Sequence, residues 1–521
     1  MVKILIGNIT TKIVGFLQED IHQQLDEVLS YKVKDAHYLM SVKRKRWDGI
    51  YHLYKKHSGQ SFYTGLLSLA EEVLRKNNIA FTRVDERIIP PQNLPDLKFT
   101  PQLHYNERDY QKFTIDRSIQ KTRGVLKICT GGGKTMVAAE IIGKIKTYPF
   151  MFYVLTEDLM NQAYETLSET LNEPIGRIGG GEFDIKKINV CTIQTAIMAL
   201  NMDNKSFKIS DYKFDEEDIW DEKQVKEIDK KQQLKELIGK TKGLFFDECH
   251  HASAKTVRDV ISASPFAYWK YGLSATPFRE DGAEIMIQAL FGRKIVDISA
   301  SYLIDRGYLI EPYILFDSIN HNCKLHAYQS IYKECISGND EFNNHVADIA
   351  NHLIVRGLSV LVLVQHYPQG EYLKKLIPET EFLTGKMNRI KRKQAIQDLK
   401  DRKRLCLIST NLADEGLDIP TLDAALLAGG GASSTRVHQR IGRTLRIDRN
   451  SKNPRDKSIV VYFQHEGAKY LDKHAKKAKN IIKLEPRFKI IESGGQSFIC
   501  NEIDEIMELG KNENKTTIND I

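Results

Sequence analysis

From Val125 onward, short apolar runs alternate with stretches whose apolar positions recur at helical spacing. The runs are Val125–Ile128, Phe152–Leu155, Ile188–Cys191, Leu244–Phe246 and Tyr268–Leu273. Strands buried on both faces show no polar alternation, and helix-length segments between them imply a parallel sheet covered on both sides. The same rhythm returns from about Pro312, with Ser359–Val364, Leu405–Ile408, Ala424–Leu427 and Ile459–Phe463 as strands. Two parallel α/β sheets in tandem are therefore expected. The segment Phe214–Lys242 breaks the rhythm; dense in Asp, Glu and Lys, it reads as an exposed insertion or solvated helix. Residues 1–99 read as a small mixed α/β unit closing at Pro90-Pro91-Gln92-Asn93-Leu94-Pro95, a linker composition. The expected division is 1–99, 100–304, 305–465 and a helical tail 466–521, with the polar stretch Gly510–Asp520 frayed.

Composition narrows this picture without changing it. At 521 residues the chain has room for roughly three or four domains of ~150 residues each. Its 41% hydrophobic content argues against wholesale disorder. No apolar run approaches the ~18 residues of a membrane span. The opening Met1-Val-Lys-Ile-Leu-Ile-Gly-Asn lacks the length and cleavage site of a signal peptide. The seven cysteines are scattered and none forms Cys-x-x-Cys, which argues against a zinc site or a disulfide framework and fits a reducing cytosol. A net charge of +8 over this length permits a polyanionic partner without demanding one, so the placement of the charge matters more than its total.

Two motifs carry chemistry. Thr130-Gly131-Gly132-Gly133-Lys134-Thr135 follows a strand and precedes the helical pattern Met136–Lys144. Such a unit turns bare backbone N–H groups and a helix N-terminus toward an anion. Lys134 adds a point charge for the β- and γ-phosphates, and the Thr135 hydroxyl suits Mg²⁺. The full G-x-x-x-x-G-K-[ST] pattern is not met, because Ile128 holds the first glycine position. The second motif is Asp247-Glu248 at the end of an apolar run, and strand ends are where open α/β sheets bind ligands. Asp247 suits Mg²⁺ and Glu248 suits orienting and deprotonating a water. Surface acids are common at strand ends, but a phosphate loop and an acid pair in one sheet reinforce each other.

With these residues in place, the chain resembles a superfamily-2 helicase of the DEAH-like type, with Asp247-Glu248-Cys249-His250 as its motif II. Arg108-Asp109-Tyr110-Gln111 resembles the adenine-reading segment, with Gln111 at the position family members place on adenine. Thr156–Gln162 resembles motif Ia, Thr192-Ile193-Gln194-Thr195-Ala196 the next strand-binding motif, and Ser274-Ala275-Thr276 motif III. Ser409-Thr410-Asn411-Leu412-Ala413-Asp414-Glu415-Gly416-Leu417-Asp418 resembles motif V, and Gln439-Arg440-Ile441-Gly442-Arg443-Thr444-Leu445-Arg446 motif VI. The resemblance spans about Asn106 to Phe463 and implies two RecA-like domains with MgATP in the cleft between them. It implies nucleotide contacts from Gly416 and Asp418 and DNA contacts from Thr192, Gln194 and Thr410. Arg443 and Arg446, three apart and so on one face if helical, are expected as arginine fingers, with Gln439 near the γ-phosphate.

The stretches Gly272–Gly282 and Tyr302–Pro312 are similar to the branch holding XPB-type translocases and phage UvsW-type helicases, whose members act on DNA. Within the first, Arg279-Glu280-Asp281 matches a charged tripeptide tied to unwinding in XPB-like proteins, although charged loop residues are more often merely solvated. The segments Trp47–Leu53 and Phe62–Leu67 resemble the accessory domain that precedes the motor in UvsW-type proteins. There Lys43-Arg44-Lys45-Arg46 stands beside Trp47, with Tyr51 and Tyr54 near. That chemistry holds phosphates and stacks bases, or is simply a basic loop capped by a packed Trp. Lys469, Lys473, Lys476, Lys477, Lys479 and Lys483 in the tail fit phosphate contact or a solvated face equally. The resemblance implies an ATP- and Mg²⁺-dependent 3′-to-5′ helicase on branched DNA; a monomer in the cytoplasm of a prokaryote or phage-infected cell is expected. A duplex translocase that separates no strands, an RNA helicase and a non-enzymatic nucleotide-binding scaffold share parts of the pattern. The scaffold is expected to have lost Glu248 or an arginine finger, and this chain keeps both.

Overall fold

The computed structural model describes the chain except residues 1, 35, 91–107, 202–221, 277–281, 386, 411–421, 431–433, 448–454, 493–497 and 517–521. Most of the linker, the tripeptide Arg279–Asp281, and Gly416 and Asp418 of motif V therefore lie outside the described residues. The chain forms two compact units, the first from Met1–Ile128 with Gly133–Asp297 and the second from Cys129–Gly132 with Ile298–Ile521. Among the described residues no helix is long and apolar enough to cross a membrane.

The first unit holds two sheets. The larger has eight strands in the order Glu182–Asp184, Ile175–Gly179, Ile188–Thr192, Phe150–Val154, Gly243–Phe246, Trp269–Ser274, Arg123–Ile128 and Lys294–Ile298. The central pairings, from Ile175–Gly179 through to Arg123–Ile128, are all parallel. Every apolar run read from the sequence lies within one residue of such a strand. Their uniform apolarity is explained by burial: all side chains of Phe150–Val154 and Gly243–Phe246 are inside. Ile128, where the phosphate-loop pattern would have glycine, ends its strand fully buried. The strand simply runs one position further into the motif.

The segment 214–242 is corrected in part. Helix Glu222–Lys240 is not merely solvated, because Leu234, Leu237 and Ile238 pack into the core of the unit. The apolar positions are diluted by so much Lys and Glu that the stripe was hidden.

The accessory domain has a four-stranded sheet ordered Ser61–Tyr63, Thr10–Val14, Val2–Ile6 and Phe81–Asp85, and a separate antiparallel pair Ser30–Lys32 with Ile50–His52. It shares one apolar core with the motor domain it precedes. The backbone at Gly65 lies so near helix Glu284–Phe291 that a Cβ there would meet the Gln288 carbonyl oxygen at 1.9 Å. Asn8 Nδ2 donates to the Pro265 carbonyl (3.0 Å), and Arg123 Nη2 donates to the Asn8 carbonyl (2.9 Å). Arg123 is buried enough that its pKa falls to about 10. The accessory domain is thus fixed to the sheet that carries the phosphate loop.

The second unit has one seven-stranded sheet, ordered Glu381–Leu383, Cys406–Ser409, Val360–Leu363, Ala424–Leu427, Lys457–Glu466, Glu311–Asn320 and Lys489–Glu492. All six pairings are parallel. The expected helical tail is present, with one edge strand added to it. Residues after 465 supply helix Lys469–Ile482, the edge strand Lys489–Glu492, and helix Ile499–Thr516, whose Ile499, Ile503 and Ile506 sit in the second core. The tail closes this domain, and residues 517–520 of the stretch expected to fray lie outside the description.

Candidate nucleotide site and nucleic-acid face

The phosphate turn links strand Arg123–Ile128 to helix Lys134–Ile145. Gly131 (φ 82°) and Gly133 (φ 76°) take left-handed backbone that a side chain would strain, which is why the turn is spelled with glycine. Gly133 is the N-cap, so Lys134 and Thr135 occupy the first turn of the helix, where unsatisfied N–H groups and the helix dipole favour an anion.

Asp247 and Glu248 follow strand Gly243–Phe246. The Asp247 N–H donates to the Tyr153 carbonyl (3.0 Å), and Asp247 Oδ1 accepts from the Glu248 N–H (3.0 Å). Glu248 takes φ 53°, a left-handed conformation costing about 1–2 kcal/mol for a non-glycine residue, and strain of this kind clusters at functional sites. Burial and the charge of Glu248 push the Asp247 carboxyl up, against the pull of Lys134. Burial also opposes ionisation of Glu248, but its hydrogen bond to His250 and the charge of Lys134 outweigh it and hold it low. The two acids therefore share one buried, mutually repelling site beside Lys134, and a cation there would stabilise the Asp247 carboxylate.

His250 ties motif II to motif III. Its Nδ1 lies 3.2 Å from Glu248 Oε2 and 3.3 Å from Ser274 Oγ, and Ser274 Oγ accepts from the Thr276 N–H at 3.1 Å. One imidazole nitrogen thus serves a carboxylate and a hydroxyl on neighbouring strands. Sequence reading named both motifs but had no signal for this link, which depends on the pairing of Gly243–Phe246 with Trp269–Ser274.

The remaining predicted residues sort by position. Gln111 is buried in the first turn of helix Asp109–Lys121, and Arg108 stands at its N-cap position with Nη1 donating to the Tyr110 hydroxyl (3.4 Å). Thr192 is buried, and its hydroxyl caps helix Ile193–Leu200 by accepting from the Thr195 N–H. It therefore sets the helix start, while Gln194 is exposed. Thr410 is half-buried just past strand Cys406–Ser409. Gln439 is buried in helix Ser434–Gly442, and Arg440 Nη1 donates to the Gly430 carbonyl (3.3 Å). The expected shared helical face of Arg443 and Arg446 is corrected. The helix ends at Gly442, and Arg446 pairs with Leu309 in an isolated β-bridge, where burial lowers its pKa.

In the accessory domain Lys43, Arg44, Lys45 and Arg46 are all exposed. Trp47 is half-buried, donates from Nε1 to the Ile50 carbonyl (2.8 Å), and packs 5.1 Å from the Tyr51 ring. Tyr54 offers no face for a base: it is buried, with its hydroxyl 2.7 Å from His22 Nδ1. The tail lysines are split. Lys476 pairs with Asp472 at 2.6 Å and Lys479 with Glu492, whereas Lys469 and Lys473 are exposed.

Two parallel-sheet units, one with a phosphate turn beside paired carboxylates and the other with helix Ser434–Gly442 followed by Arg443 and Arg446, define the tandem RecA-like fold. Residues 104–279 match the family model "Type III restriction enzyme, res subunit", and 344–448 match "Helicase conserved C-terminal domain". The chain is 25% identical over 407 residues to "DNA 3'-5' translocase XPB2" of Sulfurisphaera tokodaii, covering 70% of this chain and 83% of that protein. It is 26% identical over 226 residues to "ATP-dependent DNA helicase uvsW" of Enterobacteria phage T4, covering 41% of this chain and 45% of that protein. Among solved structures, the putative HsdR subunit fragment of a type I restriction enzyme from Vibrio vulnificus YJ016 shares the fold (TM-score 0.52, 17% identity, 78% of this chain and 71% of that chain). Together the two family matches and these relatives support a superfamily-2 helicase of the UvsW- and XPB-like branch. It spans about half to two-thirds of the length of several curated relatives it matches.

Proposed function

We propose that the protein is an ATP-dependent DNA helicase that moves along and remodels or unwinds branched DNA, with 3′-to-5′ polarity, in replication, recombination or repair. The observation that carries this reading is the meeting of Lys134 with the Asp247–Glu248 pair in one sheet, its charge acting on both carboxylates. The names of the relatives supply the DNA and the polarity.

The residues present fit MgATP. Hard oxygen donors at Thr135 and Asp247 would hold Mg²⁺, and the glycine turn with Lys134 would hold the phosphates. When bound, the cation shields the charge between the phosphates. Gln111 and Arg108 serve adenine, and Gly416 and Asp418 complete the nucleotide contacts. Glu248 orients and deprotonates the attacking water. Gln439, Arg443 and Arg446 act on the γ-phosphoryl group as charge builds on it. Gln194 and Thr410 serve the strand, with Thr192 positioning Gln194.

Lys134→Ala is expected to weaken ATP binding or turnover strongly, because it removes the point charge on the β- and γ-phosphates. Fluorescent-nucleotide titration and steady-state hydrolysis check this, and unchanged values for both would contradict the phosphate-loop assignment. Changing Lys43, Arg44, Lys45 and Arg46 together to Ala should weaken binding to forked DNA. It should also flatten the salt dependence of binding, by about 0.9 in log–log slope for each phosphate that is no longer neutralised. If this variant melts normally and binds forks with unchanged affinity and slope, the accessory domain is not a DNA grip.

The reading as a whole is tested by an unwinding panel over forks, flaps, four-way junctions and their RNA equivalents. Opening of DNA forks or junctions supports it, and activity confined to RNA contradicts it. The XPB2 relative carries the word translocase in its name, which favours a second reading: movement on duplex DNA without strand separation. Triplex displacement without strand displacement would select that one.

A further inference from the structure

An exposed apolar tip stands beside the basic run of the accessory domain. Tyr38, Leu39 and Met40 are consecutive and are 68%, 45% and 58% exposed. Contiguous exposed apolar groups rimmed by polar ones, unlike scattered single residues, mark interaction sites. This tip is built rather than loose. The Leu39 N–H donates to the Ala36 carbonyl (2.9 Å), Val42 to Leu39 (3.1 Å), Arg44 to Met40 (2.9 Å) and Arg46 to Ser41 (2.9 Å). Val33 closes the base of the excursion by donating to the Gly49 carbonyl (2.9 Å). Gly49 (φ 84°) must be small there, since a Cβ would meet the Ala36 Cβ at 2.9 Å. The same compact turn therefore presents three apolar side chains and then four exposed cations within nine residues, 38–46.

The base of this excursion is held by two segments that leave the nucleotide site. Arg258, on helix Lys255–Ser262 just after motif II, lies over the Tyr51 ring at 5.6 Å. The Tyr51 ring also lies 5.2 Å from Tyr31 and 5.1 Å from Trp47. Gly282, which follows the motif III region, approaches strand Ser30–Lys32, where a Cβ on it would stand 3.5 Å from the Lys32 carbonyl oxygen.

We propose that Tyr38, Leu39 and Met40 form a strand-separating wedge that packs on the terminal base pair of a duplex at a junction, with Lys43–Arg46 holding the flanking phosphates. Apolar side chains of this kind unstack base steps, and the adjacent cations pull the backbone toward them. The charge beside the tip selects a nucleic-acid occupant over an apolar protein surface. Because its base rests on segments following motifs II and III, the wedge is mounted on the domain that binds ATP. The inference rests on the helicase reading above and adds the part that opens the duplex.

The test uses the full chain with Tyr38→Ala, Leu39→Ser and Met40→Ser combined. A conservative control carries Tyr38→Phe, Leu39→Met and Met40→Leu. Fork unwinding and triplex displacement are measured side by side, after a thermal melt shows that both variants fold. Triplex displacement needs movement but no separation of the translocated duplex. The polar variant should lose fork unwinding by about 5- to 100-fold, the scale of removing one base-stacking side chain. Its triplex displacement should change less than about twofold, a stacking-sized effect being absent from that assay. The conservative control should unwind like the parent. Unchanged unwinding in the polar variant overturns the wedge and makes the tip a protein-docking surface. Parallel loss of both activities also overturns it, since the tip would then be a general grip. If the parent chain moves on DNA but opens no fork, the wedge is wrong while the motor reading stands. A parent that shows no response to DNA removes both.

Discussion

Glu248→Gln should bind ATP and hydrolyse it slower by about 10²–10⁴-fold, the range that general-base catalysis supplies. The substitution is nearly isosteric and keeps a hydrogen-bond acceptor toward His250 Nδ1, which lies 3.2 Å from Glu248 Oε2. What it removes is the charge. His250 and Lys134 hold the Glu248 carboxyl low despite its burial, so the charge is present in the parent and absent in the amide. A buried amide accepts no proton from water. Asp247 is a poor substitute, because its Oδ1 is already engaged by the Glu248 N–H. Single-turnover hydrolysis and equilibrium nucleotide binding separate the two effects. Near-parent turnover in a clean preparation would remove Glu248 from the base role.

The arginines of the second unit carry the other large effect. Arg443→Ala and Arg446→Ala are each expected to cut turnover by about 10³–10⁵-fold if they act as fingers on the transferred phosphoryl group, with a much smaller loss of ATP affinity. The structure makes the two variants informative separately, because the residues do not share a helical face. Arg443 follows the last turn of helix Ser434–Gly442, while Arg446 sits in a β-bridge with Leu309 and its carbonyl accepts from Arg455 Nη2 at 3.1 Å. Loss of the Arg446 side chain leaves those backbone contacts in place, so a fall in turnover there reports its charge. If either variant hydrolyses ATP at the parent rate, that arginine has no part in the transition state.

The parallel sheets were legible because buried strands are written as unbroken apolar runs, and these recur in both halves of the chain. Spacing was enough to place Lys134 at a helix start and Asp247 at a strand end. The failures have physical causes of their own. Helix Glu222–Lys240 hides three buried residues among many charges, so its polar composition outweighed a real apolar stripe. The edge strand Lys489–Glu492 has only four residues, and its place beside Glu311–Asn320 is a long-range pairing that no local pattern records. Three-residue spacing put Arg443 and Arg446 on one face only by assuming a helix that stops at Gly442. Thr192, expected from its motif as a DNA contact, also caps helix Ile193–Leu200, a role the motif did not announce. The link from Glu248 through His250 to Ser274 needs two neighbouring strands, and sequence order alone cannot supply their adjacency.

The central claim is that ATP hydrolysis by this chain is coupled to DNA. The most direct test is the steady-state hydrolysis rate of the full-length protein, titrated in parallel with forked DNA and with the identical fork in RNA, at fixed MgATP and salt. The account predicts a rate that rises and saturates with DNA and responds weakly to RNA. A rate indifferent to DNA, or one raised only by RNA, would contradict it.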